Sequence, residues 1–453
     1  MFILLCCSLI SCTKNNIGGE EKSISEFIED NDIAEAANKL NLNINTSFIE
    51  NDLKSISSNI RNYGSGGEKE SSEYIRERLE EYGYSVEFDD FKVYEQNMRS
   101  TISVKNNLDY FKKNPYNSEV LGVGRNIIAK QKNFNNDKKT IYLTAHYDST
   151  EDTTGVIDNV SGCSVVLEVA RVLKDYNNEF NIGIVLFSGE EYWRTGSRDF
   201  VSKLSKDEKE NIIGCINVDM VGEKSAGNLI MQTSNGKHNI ISFMLNEILE
   251  NKPKLVEGGS SDELSFYMGE IPSITITDEN SNPDLALKEN QLDYIDMEVL
   301  KETCEIIIKF LTEFKLESYE SILKEDILYR NFNSENNLET INGFELIEKR
   351  DSFIGNGYST ETEYTYKNDN NKYVIRERDG KFISEEIQDK FIMLNKENNW
   401  GYKIKEDLDD NIKIVFKIMG NYGEIEGNID LNQGIKILES YYGQKTGEKI
   451  NIN

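Results

Sequence analysis

Residues 140–150 read TIYLTAHYDST. The first six residues are apolar or small on both faces, and the run then stops at His146, with Asp148 two places on. Such a run suits a strand buried on both sides, the kind found in the middle of a parallel sheet. Three more runs of the same texture follow: IGIVLFS (182–188), IGCINVDM (213–220) and IPSITITD (271–278). Helical periodicity fills the gaps, in SGCSVVLEVARVLKDY after the first run and KHNIISFMLNEILEN after the third. Upstream, EKESSEYIRERLEEYGY places Tyr74, Ile75, Leu79 and Tyr82 on one helical face, and ISEFIEDNDIAEAANKL has a similar repeat. Buried strands alternating with helices predict an α/β fold, a mixed and mostly parallel sheet covered by helices on both sides.

The texture changes near residue 316. Tyrosine-rich alternating runs, EYTYKND and KYVIRERDGKFISEEI, replace the strand and helix alternation. They predict a small antiparallel-rich α+β domain over 316–453, with Asp379-Gly380 as a hairpin turn. The expected organisation is therefore a leader over 1–12, a polar linker over 13–24, the α/β domain over 25–315 and the C-terminal domain.

The leader rests on MFILLCCSLISCTKNN. This apolar stretch is too short to span a bilayer as a helix and has the form of a signal-peptide core. Its ending, L-I-S-C, resembles a bacterial lipobox, which implies that Cys12 is acylated and anchors an exported protein to the cell envelope. Of six cysteines, three lie in this segment, leaving Cys163, Cys215 and Cys304. Three widely spaced thiols suggest buried free cysteines and no disulfide framework. The net charge of −29 (80 acidic residues against 51 basic) disfavours nucleic acid or anionic lipid as a partner.

In an open α/β sheet, ligands bind at the carboxyl ends of the strands. Here those ends offer His146 and Asp148, then Glu190 and Glu191 after the second run, and Asp219 after the third. Asp158, in DNVSG, stands just before the next helix. One acid at a strand end is usually a cap or a solvated turn. Several carboxylates with an imidazole would repel one another unless a cation held them. Histidine with carboxylates and no thiolate suits zinc, ahead of manganese or cobalt.

Taken together, H-Y-D-S, D-N-V-S-G, S-G-E-E and N-V-D-M resemble metallopeptidase family 28, the co-catalytic zinc aminopeptidases. The upstream RNYGSGGEKESSEYIRERL and NIIAK match as well, so the likeness covers roughly residues 50–315. It implies that His146 and Asp219 bind one zinc, that Asp158 bridges two metals, and that Glu191 binds the second. Glu190 would be the general base and Asp148 would orient the imidazole. One position departs: the family's last ligand histidine falls on Ala286 in NPDLALKENQLDYID (282–296), and the family's S-D-H is here Ser261-Asp262-Glu263. One tight zinc is therefore expected, and a second only if Glu263, Asp278 or Asp284 moves in. His238, in a polar loop, is a remote substitute. A glutaminyl-cyclase-like activity would need the missing histidine. Two functions stay open: a zinc exopeptidase acting on peptides outside the cytoplasm, or a peptidase-fold protein that has lost catalysis and binds peptides or a partner at the cell surface.

Overall fold

The computed structural model describes residues 43–94, 119–258, 261–282, 291–324, 340–368, 371–379, 392–395, 400–406, 412–418 and 421–446. Cys12, the lipobox, the helix expected over 24–40 and Ala286 lie outside them.

The four apolar runs are four neighbouring parallel strands. Strand β3 (Thr140–His146) lies between β4 (Asn181–Phe187) and β5 (Ile212–Val218), and β8 (Ser273–Asp278) pairs with β5. The register sets His146 beside Phe187, Thr144 beside Asn217, and Val218 beside Ile276. All four carboxyl ends therefore reach the same edge of the sheet. The flanks are less regular. On one side β1 (Ser85–Tyr94) and β2 (Val120–Lys130) form an antiparallel pair, with β2 antiparallel to β4. On the other, β6 (Leu229–Thr233) runs antiparallel to β8 and parallel to β7 (Lys254–Glu257).

Both faces are covered. On β4, Ile182, Ile184 and Leu186 enter the main core, while Val185 and Phe187 enter a second cluster with Phe200, Val201 and Phe266. The period of two along a strand divides the residues this way. Helices α1 (Thr46–Ile56), α2 (Gly66–Glu81) and α3 (Ser161–Leu173) contribute to the main core. After β4 come α4 (Thr195–Lys203) and α5 (Lys206–Glu210), then α6 (Ile240–Ile248), α7 (Glu263–Met268) and α8 (Met297–Glu313). Phe200 and Val201 of α4 and Phe266 of α7 make the second cluster. Every residue of α3 except Arg171 and Val172 is buried, so this helix is the centre of its layer.

Helix α3 begins where backbone comes close to backbone. A Cβ on Gly162 would sit 2.4 Å from the Val218 carbonyl and 2.5 Å from Asn159 Oδ1, so only glycine fits. Gly162→Ala is expected to destabilise the fold by about 1–3 kcal/mol through overpacking, measured by urea unfolding, because the atoms it meets are backbone or fixed by hydrogen bonds.

Helix α9 (Leu316–Lys324) packs Tyr319 and Ile322 into the main core, so the first core continues past residue 315. Beyond it stands a second eight-stranded sheet, antiparallel throughout, in the order β13-β14-β15-β16-β12-β11-β10-β9. These strands are Thr340–Ile341, Phe344–Ile354, Ser359–Lys367, Lys372–Asp379, Ile392–Asn395, Trp400–Glu406, Ile412–Ile418 and Asn421–Gly427, numbered β9 to β16. Helix α10 (Leu431–Thr446) brings Ile437, Leu438, Tyr441 and Tyr442 to a core of Tyr364, Tyr366, Tyr373 and Ile375. The tyrosines alternate along β11 because that face is the buried one.

The hairpin expected at Asp379-Gly380 is corrected. Strand β12 has β11 on one edge and β16 on the other, paired up to Asp379 with Asn421, so no following segment can fold back on it. Gly380 itself lies outside the described residues. The tight turn falls earlier, between β11 and β12, where Lys367 pairs with Lys372. A dipeptide that favours a turn does not decide which strands become neighbours.

The loop before α6 and the start of that helix meet the turn between β10 and β11. The Gly357 carbonyl accepts from Ile240 N at 2.9 Å, and Asn235 Nδ2 donates to Ser359 Oγ at 2.8 Å.

Candidate metal centre

Three strand ends and one loop meet at His146. Its ring is buried, with Nε2 at 3.0 Å from Asp158 Oδ1 and 3.4 Å from Asp219 Oδ1. One ligand atom from each of the three residues lies within 4.8 Å of the others, the single such group among the described residues. On the other side of the ring, Nδ1 is 3.3 Å from Asp148 Oδ1. An ionised carboxylate only accepts, so Asp148 holds a proton on Nδ1, and a metal displacing the proton on Nε2 would meet that lone pair with Asp158 and Asp219 beside it. This is the tautomer a metal ligand needs.

Asp148 does more than hold the ring. Its Oδ1 accepts from Glu190 N at 3.2 Å and its Oδ2 from Glu191 N at 3.4 Å. The end of β4 is thereby tied to the end of β3. A second tie joins Asp158 to Asp219. Asn159 donates from Nδ2 to the Val218 carbonyl at 2.9 Å, while its Oδ1 accepts from Gly162 N at 3.0 Å and Met220 N at 3.2 Å. The side chain next to one aspartate thus fixes the backbone on either side of the other. Asn159 was not singled out in the sequence, and the D-N dipeptide before a helix was the signal for it.

The electrostatics fit a cation. His146 Nε2 and Asp219 Oδ1 are buried and have no hydrogen-bond partner. Burial opposes a charge on His146, yet the carboxylates of Asp219, Asp148 and Asp158 outweigh it and hold its pKa well above the usual value. Burial pushes the Asp158 and Glu190 carboxyls up, and Glu191 up to about 8. Deeper in the same wall, burial raises Asp262 to about 7 and Glu263 to about 8. A divalent cation would hold these carboxylates in their charged form, and it is what the orphaned atoms fit.

The sequence of the region agrees. Residues 126–311 match the model of Peptidase family M28. That stretch holds all of the strand-end residues described above. Aminopeptidase YwaD of Bacillus subtilis is 31% identical over 209 residues, which cover 44% of this chain and 44% of that protein. The match therefore spans under half the length of this relative. Among solved structures, a zinc aminopeptidase from Bacillus subtilis superposes with a TM-score of 0.51 at 22% identity, over 60% of this chain and 95% of its own. An aminopeptidase from Aneurinibacillus sp. strain AM-1 superposes with a TM-score of 0.50 at 21% identity, over 59% and 93%. At these identities the superpositions establish the fold.

Within the matched region, the structure brings His146, Asp158 and Asp219 together and sets Asp148 behind them. Glu190 and Glu191 reach the site through their backbone, but neither carboxylate belongs to the group of three. The same holds for Glu263 and Asp278, two of the acids expected to make good the loss at Ala286, while Asp284 lies outside the described residues. Glu263 Oε2 accepts from Thr275 Oγ1 at 2.7 Å, and Asp278 Oδ2 from Glu223 N at 2.8 Å. Each keeps its other oxygen without a partner. His238 sits near α6, with Nδ1 at 3.1 Å from Ser242 Oγ, and is not in the group either.

Proposed function

We propose that this protein is a zinc-dependent exopeptidase of aminopeptidase type, with Glu190 as its general base. The observation that carries the reading is the group His146, Asp158 and Asp219, drawn from separate segments, in which His146 Nε2 and Asp219 Oδ1 are buried with no partner. Those three residues would hold one zinc, a donor set of one imidazole and two carboxylates that suits the ion. When bound, zinc acts as a Lewis acid that polarises a carbonyl and acidifies water.

The chain's own residues supply the rest. Asp148 keeps the His146 proton on Nδ1. Glu190, half-buried, would take a proton from the attacking water and return it to the departing amine. Its backbone N–H is anchored on Asp148, so the base and the imidazole share one reference point. Burial and the neighbouring carboxylates favour a protonated Glu190 when no cation is present, and a cation would reverse that preference. Export and anchoring through Cys12 are supported by the leader sequence and agree with a peptidase that works on peptides outside the cytoplasm.

The test is hydrolysis of amino-acyl chromogenic substrates, lost on chelation and recovered with zinc. The parent is expected to retain about one zinc per chain, three protein ligands being enough for a catalytic site. Ala286→His restores the second imidazole, so about two zincs per chain are expected in that variant, counted by metal analysis. Hydrolysis that survives complete removal of metal would refute the proposal.

A further inference from the structure

Two of the three converging ligands sit at the ends of one loop. Between His146 and Asp158 the chain forms neither helix nor strand over 147–155. A loop holds a ligand pair at fixed spacing only if its polar groups are tied down. Beneath it lies Arg61, fully buried.

Nε of Arg61 donates to the Tyr147 carbonyl at 2.6 Å, next to His146. Nη1 donates to the Thr154 carbonyl at 2.7 Å, and Nη2 to that of Gly155 at 3.4 Å, three residues before Asp158. The remaining bonds run from Nη1 to the carbonyls of Asn59 at 2.9 Å and Ile56 at 3.2 Å. The Arg61 backbone N–H reaches Ser149 Oγ at 3.0 Å, and that hydroxyl lies 3.0 Å from the Thr153 carbonyl. Gln291 holds the loop from its far side, donating to Thr153 Oγ1 at 2.8 Å and accepting from Val156 N at 2.9 Å.

A buried guanidinium ordinarily pairs with a carboxylate. All the side-chain hydrogen bonds of Arg61 among the described residues go instead to main-chain carbonyls. Its charge then faces Asp148 and Asp158 across the loop. There is no slack beneath it. Gly155 has φ +51°, and a Cβ there would lie 2.2 Å from the Asp158 carbonyl and 3.1 Å from Arg61 Nη2.

We infer that Arg61 is a positioning residue of the metal centre, its planar fork clamping both ends of the 147–155 loop and so setting His146 against Asp158. The inference rests on the zinc reading above. Lysine cannot replace the fork, because three donors on one nitrogen do not reach carbonyls at both ends of a loop.

The test is zinc affinity of the full chain, measured by competition with a chromophoric chelator and independent of turnover. Arg61→Lys is expected to unfold cooperatively and to bind zinc about 10–100-fold more weakly, the effect of losing an outer support of a metal site. Tyr84→Phe is the control. It removes the hydroxyl bond to the Ala170 carbonyl, toward the opposite end of α3 from Asp158, and is expected to leave zinc affinity unchanged. A folded Arg61→Lys that binds zinc like the parent overturns the inference, as does an equal loss in Tyr84→Phe. Should Arg61→Lys not fold, Ser149→Ala reads the same clamp from the loop side: a several-fold loss supports it, and parental affinity overturns it. A parent that binds no zinc overturns the metal reading itself, and the clamp with it, before any variant is compared.

Discussion

His146→Ala is expected to release zinc and, with it, all hydrolysis. The imidazole is the one neutral donor among the three, and its removal leaves Asp158 and Asp219 facing each other with no group between them. The loss of zinc affinity should exceed the factor of about 10–100 that follows loss of an outer support. Asp148→Asn gives the contrast. It keeps the shape but lets Nδ1 find a different partner, so its zinc affinity should fall only within that smaller range. The same chelator competition measures both. Equal affinity in His146→Ala and the parent would place the metal elsewhere.

Glu190→Gln separates chemistry from metal binding. The amide keeps the size of the side chain and leaves the backbone N–H that Asp148 accepts. Zinc content should therefore match the parent, while kcat falls by roughly 10²–10⁴, the contribution of a positioned general base. KM should change little, since the proton transfer belongs to the transition state. A variant that keeps both zinc and full turnover would remove Glu190 from the reaction and require another base. Asp262 is the nearest replacement in kind, being buried with neither carboxylate oxygen partnered.

Much of this was legible in the sequence because parallel strands advertise themselves. TIYLTA, IGIVLFS, IGCINVDM and IPSITITD are apolar on both faces, and all four are central strands. Once they are parallel, their carboxyl ends must share an edge, so His146 and Asp219 had to come near one another. Strands β1 and β2 were not foreseen. Polar and apolar residues alternate along SVEFDDFKVY only until Asp89-Asp90 breaks the period, so the stretch reads as a loop or a weak helix as readily as a strand. Strand β7 has four residues, too few for a period to show.

The site was legible as residue types and less so as support. Carboxylates near a histidine are visible in a string of letters. That Asn159 ties Asp158 to the end of β5, or that Arg61 reaches the carbonyls of Tyr147, Thr154 and Gly155 some ninety residues away, depends on contacts no local pattern encodes. The hairpin misread at Asp379-Gly380 has the same origin: local turn preference was right to expect tight connections, but strand order is decided by which faces bury tyrosines against α10. Ala286 lies outside the described residues, and the zinc counts of the parent and of Ala286→His read its effect directly.

The most direct measurement is anomalous diffraction at the zinc edge from crystals of the zinc-loaded chain. A peak is predicted at about 2.0–2.2 Å from His146 Nε2 and from a carboxylate oxygen of both Asp158 and Asp219. A zinc-loaded crystal with no peak among these three side chains would contradict the account.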